Sequence, residues 1–381
     1  MSRITRLRPA AFLAAVLALS LLVAAGCGSS NSKTSTSSSA ASTTGSAKGG
    51  IAVLLPDSKS SVRWETQDRP DLNAKFTAAG IPHTIVNAEG DAAAQRTQAD
   101  QALTNGAKVL LLVDLDSGSG ASIIQAAHKA GAKVIDYDRL TLGGNADYYV
   151  SFDNQRVGKL QGQGLVKCLS GKTTPTVAEL NGSPTDNNAT LFADGYNSIL
   201  KPLYASGKFK KGPNQSVPEW DNQKALTIYE QMLQSTSNKI DGVLAANDGL
   251  ANSVISAQQA RKLPKIPVTG QDATAQGLQH ILAGDQCMTV YKDVNKEAAA
   301  AAAVAIALAK GQKPASTTTL DNKSGKPVAA STAGGTPATL LTPVAVTKTN
   351  MASTVVKDGF VKAKDICVGT YAQYCKAAGI Q

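Results

Sequence analysis

The chain has only two tryptophans, Trp64 and Trp220, and both stand among hydrogen-bonding residues, in VRWETQ and PEWDNQ. Core packing would place an indole inside an apolar strand or helix face. Beside a polar cleft it instead offers a flat apolar plate to a ligand that is apolar on its faces and polar around its rim. Pyranose rings have that form. Their C–H groups stack on indole, while their equatorial hydroxyls need donors and acceptors of the kind that Asp, Asn, Arg and Lys supply.

Those residue types recur where strand-like runs end. Asp57 and the Arg63/Trp64 loop follow IAVLLPD; Asp138 and Arg139 close IDYDR; Asp153 and Asn154 close SFDN; Asp186, Asn187 and Asn188 lie in NGSPTDNNA. Further on come Asn247 and Asp248 in LAANDG, Gln271 and Asp272 in VTGQDA, and Lys292 in TVYK. Any single Asp or Asn in this set is accounted for as a helix N-cap or turn residue. Arg63, Arg139 and Lys292 are not, because basic side chains are poor N-caps. Beside carboxylates at the same strand edge they point to paired, pre-oriented groups.

Three of the carboxyls, on Asp138, Asp186 and Asp272, invite a glycosidase reading. That chemistry needs one carboxyl held protonated, and the arginine and lysine neighbours favour ionisation instead. His83, His128 and His280 fall in helix or helix-edge contexts, with no serine or cysteine nucleophile elbow nearby. No GxxxxGK[ST] loop occurs, so ATP hydrolysis would belong to a partner. The expectation is a binding protein and not an enzyme, without metal or cofactor.

The elements that must position these groups alternate. IAVLLPD, HTIVNAE, KVLLLVDLD, KVIDYDR and YYVSFDN are separated by amphipathic stretches such as ASIIQAAHKAGA, and the pattern restarts with TVAELNGS, KIDGVLAANDG, KIPVTGQDA and DQCMTVYKD. Near-continuous apolar strands between helices predict parallel sheets covered on both faces. The length favours two doubly wound α/β lobes over one long sheet. Gln312 to Pro343, rich in Gly, Pro, Ser and Thr, predicts a long irregular connection before a late return strand, LLTPVAVT.

The N-terminus reads as a secretory leader over residues 1–26: three arginines and no acid precede the apolar run AAFLAAVLALSLLVAAG. Ala24-Ala25-Gly26-Cys27 resembles the lipobox of bacterial lipoproteins, in which the cysteine is acylated. Residues 27–49, rich in Ser and Thr, cannot offset chain entropy by burial and form a flexible tether spanning about 25 Å. Loss of the leader's three arginines takes the formal charge from +10 to +7, too mild for a nucleic-acid partner, and Lys208, Lys210 and Lys211 read as a solvated local cluster. The four remaining cysteines of an exported chain favour disulfides. Cys367 and Cys375 are close enough in sequence to staple the C-terminal tail. Elimination then pairs Cys168 with Cys287, with buried free thiols as the alternative.

From about Lys48 to Lys362 the chain resembles the type I periplasmic sugar-binding proteins of ABC importers, and within them the xylose-binding branch. The likeness is carried by RWETQDR, YDR, YVSFDNQRVGKLQ, GSPTDNNATLF, WDNQKAL, KIDGVLAANDG, GQDA, AGDQCMTVYK and LLTPVAVTKTN. It implies a D-xylose pocket lined by Arg63, Trp64, Asp138, Arg139, Asp186, Asn188, Trp220, Asn247, Asp272 and Lys292, with the two indoles sandwiching the ring. Arabinose, glucose, galactose or a sugar alcohol remain open as ligands. The resemblance also implies a monomer with three crossings, near Asp153-Asn154, Tyr291-Lys292 and Thr342-Pro343. These divide it into an N-terminal lobe, 50–153 plus 292–342, and a C-terminal lobe, 154–291 plus 343–381. Partners would be a membrane permease with its separate ATPase, with a sensory receptor as a further possibility. Sugar-responsive repressors share the fold, but export and the lack of a helix-turn-helix ahead of residue 50 speak against that role. The lipobox, tether, cysteines and tail depart from the soluble periplasmic pattern. They suggest a cell without a closed periplasm and a lipid anchor on the outer face of its membrane.

Overall fold

The computed structural model of the chain describes residues 50–380. The leader, Cys27 and the tether lie outside the described residues.

The chain begins with β1 (Ile51–Leu55), a π-helical turn at Trp64–Asp68, α1 (Arg69–Ala78), β2 (His83–Asn87), α2 (Ala92–Thr104), β3 (Val109–Leu112), α3 (Ser117–Lys129), β4 (Lys133–Tyr137) and β5 (Tyr148–Phe152). It continues through α4 (Asn154–Cys168), β6 (Thr176–Asn181), α5 (Asn187–Ala205), β7 (Lys210–Ser216), α6 (Asn222–Ser235), β8 (Gly242–Ala245), α7 (Asp248–Ala260), α8 (Ala275–Ala283) and β9 (Thr289–Tyr291). Last come α9 (Val294–Ala309), β10 (Thr318–Asp321), β11 (Pro327–Val328), β12 (Gly335–Leu341), β13 (Val344–Val346) and the short helices α10 (Ala363–Ile366) and α11 (Ala372–Ala377).

One sheet has eight strands in the order β11-β10-β12-β5-β4-β3-β1-β2. All pairs from β12 to β2 are parallel, and β10 and β11 close one edge as an antiparallel hairpin. Every residue of β1 is buried, as a strand covered on both faces requires. The other sheet, β7-β6-β8, is parallel and is extended by single bridges at Val268 and Thr269. Each of these two sheets carries its own apolar core: that of the eight-stranded sheet, in the half called larger for its sheet, is centred on Ile51, Val53, Leu111 and Ile135, and that of the three-stranded sheet, in the half called smaller, on Leu180, Phe192, Val243 and Leu244.

The protein is therefore α/β, with two wound halves. The chain passes between them three times: from β5 into α4, from β9 into α9, and from β12 into β13, which pairs antiparallel with β9. Eight helices start on an Asp, Asn or Thr side chain that accepts a backbone N–H of the first turn. These caps satisfy free N–H groups at the helix N-termini that follow the strands' carboxyl ends.

Three expectations need correction. KIPVTGQDA forms isolated bridges and no full strand. The stretch before Pro343 is not irregular: it folds into β10, β11 and β12 at the edge of the large sheet, where short Thr- and Leu-containing runs (TTL, TPATLL) lie between Gly and Pro turns. His83 lies at the start of β2, at the sheet end opposite the converging loops. The cysteines pair as expected, Cys168 with Cys287 and Cys367 with Cys375, at Cα separations of 6.5 Å and 5.7 Å. The second pair staples the tail, whose Ile366, Cys375 and Ile380 are buried in one apolar cluster with Leu278 and Ile281 of α8.

Candidate functional site

Loops at the carboxyl ends of the strands in both halves converge on one polar cavity. All ten residues expected from the sequence line it: Arg63, Trp64, Asp138, Arg139, Asp186, Asn188, Trp220, Asn247, Asp272 and Lys292. Ser60, Ser61, Phe192 and Gln271 complete the wall. Asp57, Asp153 and Asp248 are structural. Asp57 accepts from the amides of Lys59 and Ser60, Asp153 caps α4, and Asp248 bonds Thr274, Gln286 and Thr289.

Arg63 sits at the π-helical turn and is fixed on three sides. Its Nε and Nη2 donate to the two oxygens of Asp68, each at 2.8 Å; Nη2 also reaches Glu297 Oε2 at 2.6 Å, and Nη1 reaches Asp138 Oδ2 at 2.9 Å. These bonds occupy four of the five guanidinium N–H groups and leave one, on Nη1, for the cavity. The same guanidinium lies 4.4 Å from the centre of the Trp64 ring, so it also backs the indole.

Asp138 follows β4 with φ of +61°, a left-handed backbone that a non-glycine residue adopts only when its surroundings enforce it. The enforcing bonds are visible. Its N–H donates to Val150, and its carbonyl accepts from Tyr149 Oη at 2.9 Å, Ser151 Oγ at 2.8 Å and Asn188 Nδ2 at 3.0 Å. Its Oδ2 takes Arg63 and, at 3.4 Å, Lys292, while Oδ1 takes Asn188 Nδ2 at 3.2 Å. Asn188 belongs to the smaller half, so this carboxyl touches both.

Across the cavity, Asp186 caps α5 with Oδ1 and accepts Trp220 Nε1 on Oδ2 at 3.0 Å. Arg139 Nε lies 3.4 Å from that same oxygen and joins the halves a second time. Trp220 and Glu219 both have positive φ, and the indole lies so close over Gly182 that any Cβ there would overlap it. Asn247 likewise caps α7 with its oxygen and contributes the rest of its amide to the wall.

Burial disfavours charge at every one of these groups, and the neighbours decide the outcome. At Asp138 burial is opposed by Lys292, Arg63 and Arg139, which together hold the carboxyl below its ordinary range. At Asp186 and Asp272 burial wins and both are raised, although Arg139 and Lys292 pull the other way. The basic neighbours thus outweigh burial at Asp138 but not at Asp186 or Asp272, which have fewer cations against the same loss of water. Lys292 remains charged: burial lowers it, and Asp138 and Asp272 more than compensate.

Four contributors were not singled out from the sequence. Ser60, Ser61 and Phe192 are ordinary in type, and Glu297 opens an alanine-rich helix that reads as packing. For Phe192 the signal was its place four residues after Asn188 in α5, one turn further along the same helix face.

A model of the periplasmic binding protein domain matches residues 51–313. The chain is 36% identical over 305 residues to the D-xylose-binding periplasmic protein of Escherichia coli, covering 80% of this chain and 88% of that one. It is 35% identical over 338 residues to the multiple sugar-binding periplasmic receptor ChvE of Rhizobium radiobacter, covering 84% and 92%. Among solved structures, a carbohydrate transporter solute binding protein from Chloroflexus aurantiacus in complex with D-glucose superposes with a TM-score of 0.74. It is 30% identical, over 83% of this chain and 97% of that one. The chain belongs to the periplasmic binding protein family, whose members are solute-binding proteins.

The buried carboxyls also make stability depend on pH. Burial raises Glu297 to about 8, and Asp114 and Asp248 to about 7. Between about pH 4 and 8 the folded chain thus holds protons that the unfolded chain releases. Their stabilising contribution is complete at the acid end of that window and is lost as pH rises through 7 to 8. The urea midpoint should therefore be higher at pH 6 than at pH 9; equal or reversed midpoints would contradict the assignment.

Proposed function

We propose that the protein is the extracytoplasmic solute-binding component of an ABC sugar importer and that its ligand is D-xylose. The observation that carries this reading is the cavity lined from both halves, in which two indoles and a rim of Asp, Asn, Arg and Lys meet. Supporting it is the sequence likeness to D-xylose-binding proteins.

The ring lies between Trp64 and Trp220. The remaining N–H of Arg63, the unpaired N–H groups of Arg139, Lys292 and Asn247, and the free oxygen of Asp272 meet its hydroxyls. Asp138 keeps the cations aimed. The lobes 50–153 plus 292–342 and 154–291 plus 343–381 rotate about the three crossings, and sugar selects the closed arrangement because only there do both contact it. Micromolar binding corresponds to about −8 kcal/mol, within reach of such a set after ordering costs. The protein is a binder and not an enzyme. Asp138 is committed to salt bridges and Asp186 to Trp220 and Arg139, so neither is free to shuttle a proton to a glycosidic oxygen.

A second reading, another aldose such as glucose, draws on the multiple-sugar relative and the glucose-bound neighbours. Delivery is to a permease and its separate ATPase, with the monomer tethered through acylated Cys27 to the outer face of the membrane. Detergent-phase partitioning that Cys27→Ser abolishes checks the anchor; partitioning unchanged by the substitution removes it.

Calorimetry of residues 50–381 against a monosaccharide panel should give tightest binding for D-xylose. Trp64→Ala should weaken that binding 100-fold or more while leaving the fold intact. Binding of a different sugar class, or an unaffected Trp64→Ala variant, would overturn the ligand or the sandwich.

A further inference from the structure

Glu297 is fully buried in the first turn of α9 and does not line the cavity. Its Oε2 accepts from Arg63 Nη2 at 2.6 Å, and its Oε1 has no partner. A buried carboxyl half satisfied in this way costs stability, so a purely structural account leaves its presence unexplained. Its position offers a reason. Lys292, five residues earlier, follows β9, the strand through which the chain crosses from the smaller half into α9. Lys292 reaches the cavity directly, at 3.4 Å from Asp138. Glu297 ties the second cation, Arg63, to the same segment.

We propose that Glu297 is a positioning residue for ligand binding: by holding Arg63 from α9, it aims the one guanidinium N–H left for the sugar and makes that aim follow the crossing strand. This deepens the sugar-binding reading and rests on it. The neighbouring bonds define what Glu297 adds. Asp68 grips Arg63 along its Nε edge and is itself held by Tyr137 Oη, on β4. Asp138 takes one Nη1 hydrogen. Without Glu297, Nη2 loses one of its two acceptors, and the guanidinium is held by Asp68 and a single Nη1 bond to Asp138. With it, the plane of the fork is fixed, along with the stack on Trp64 at 4.4 Å. The charged and titratable groups around Glu297 are Arg63, Asp68, Tyr137, Asp138, Tyr149 and Lys292.

The test combines three variants with two readouts. Glu297→Gln keeps an oxygen to accept from Nη2 and should bind D-xylose within about threefold of the wild type at pH 7. Glu297→Leu keeps the volume and removes the acceptor, and should weaken binding at least tenfold. In an Arg63→Gln background, Glu297→Leu should cause no further loss, because the residue acts through Arg63. The second readout needs no ligand: in a crystal structure of Glu297→Leu, the Arg63 guanidinium should leave its place over Trp64. If Glu297→Leu binds as tightly as the wild type, or if its effect multiplies with that of Arg63→Gln, the proposal falls. An unmoved guanidinium would also overturn it. Failure of the wild type to bind any monosaccharide would instead defeat the sugar reading, and the crystal readout would still decide the positioning role.

Discussion

Asp138 is the point on which the rest of the site depends. Its carboxyl is shared among Arg63 and Lys292 of the larger half and Asn188 of the smaller, and its carbonyl accepts three further hydrogen bonds. A buried carboxylate survives only when cations and donors replace the water it loses, and here they replace it so fully that its ionised form is favoured. The same bonds hold its backbone at positive φ. That conformation costs on the order of 1–3 kcal/mol. What is gained is a fixed electrostatic floor from which two cations point at the cavity without rearranging when a ligand arrives.

Around that floor, single side chains serve two purposes. Asp186 spends one oxygen on the amide of Asn188 at the start of α5 and the other on the Trp220 indole and the Arg139 guanidinium. Asn247 caps α7 with its oxygen and still lines the wall. The alternatives of helix cap and ligand contact are thus not exclusive. A carboxyl or amide has two polar ends, and a helix N-terminus at a strand edge consumes only one. This explains how short loops can present a dense polar rim without a large number of unsatisfied groups.

The alternation of apolar runs and helices made the two α/β halves legible, and the polar strand ends together with the family resemblance made ten of the cavity's lining residues legible. What escaped was set by tertiary context. The stretch before Pro343 joined the large sheet because an unpaired edge at β5 was available to it, a fact that its Gly, Pro and Thr content could not report. Val268 and Thr269 were too weakly paired for a full strand because the smaller sheet ends there. The raised carboxyls of Asp186 and Asp272 reflect the balance of burial against distance to a cation, which residue types alone do not give. Glu297 escaped for a similar reason, since its partner lies 234 positions earlier in the chain.

The central claim is that one pyranose bridges the halves inside this charged cavity. The most direct measurement is a crystal structure of residues 50–381 grown with D-xylose. The account expects the ring flat between Trp64 and Trp220, with hydroxyls within hydrogen-bond distance of Arg63, Arg139, Asp272 and Lys292. Sugar seated elsewhere, or the two indoles turned away from a shared ring, would contradict it.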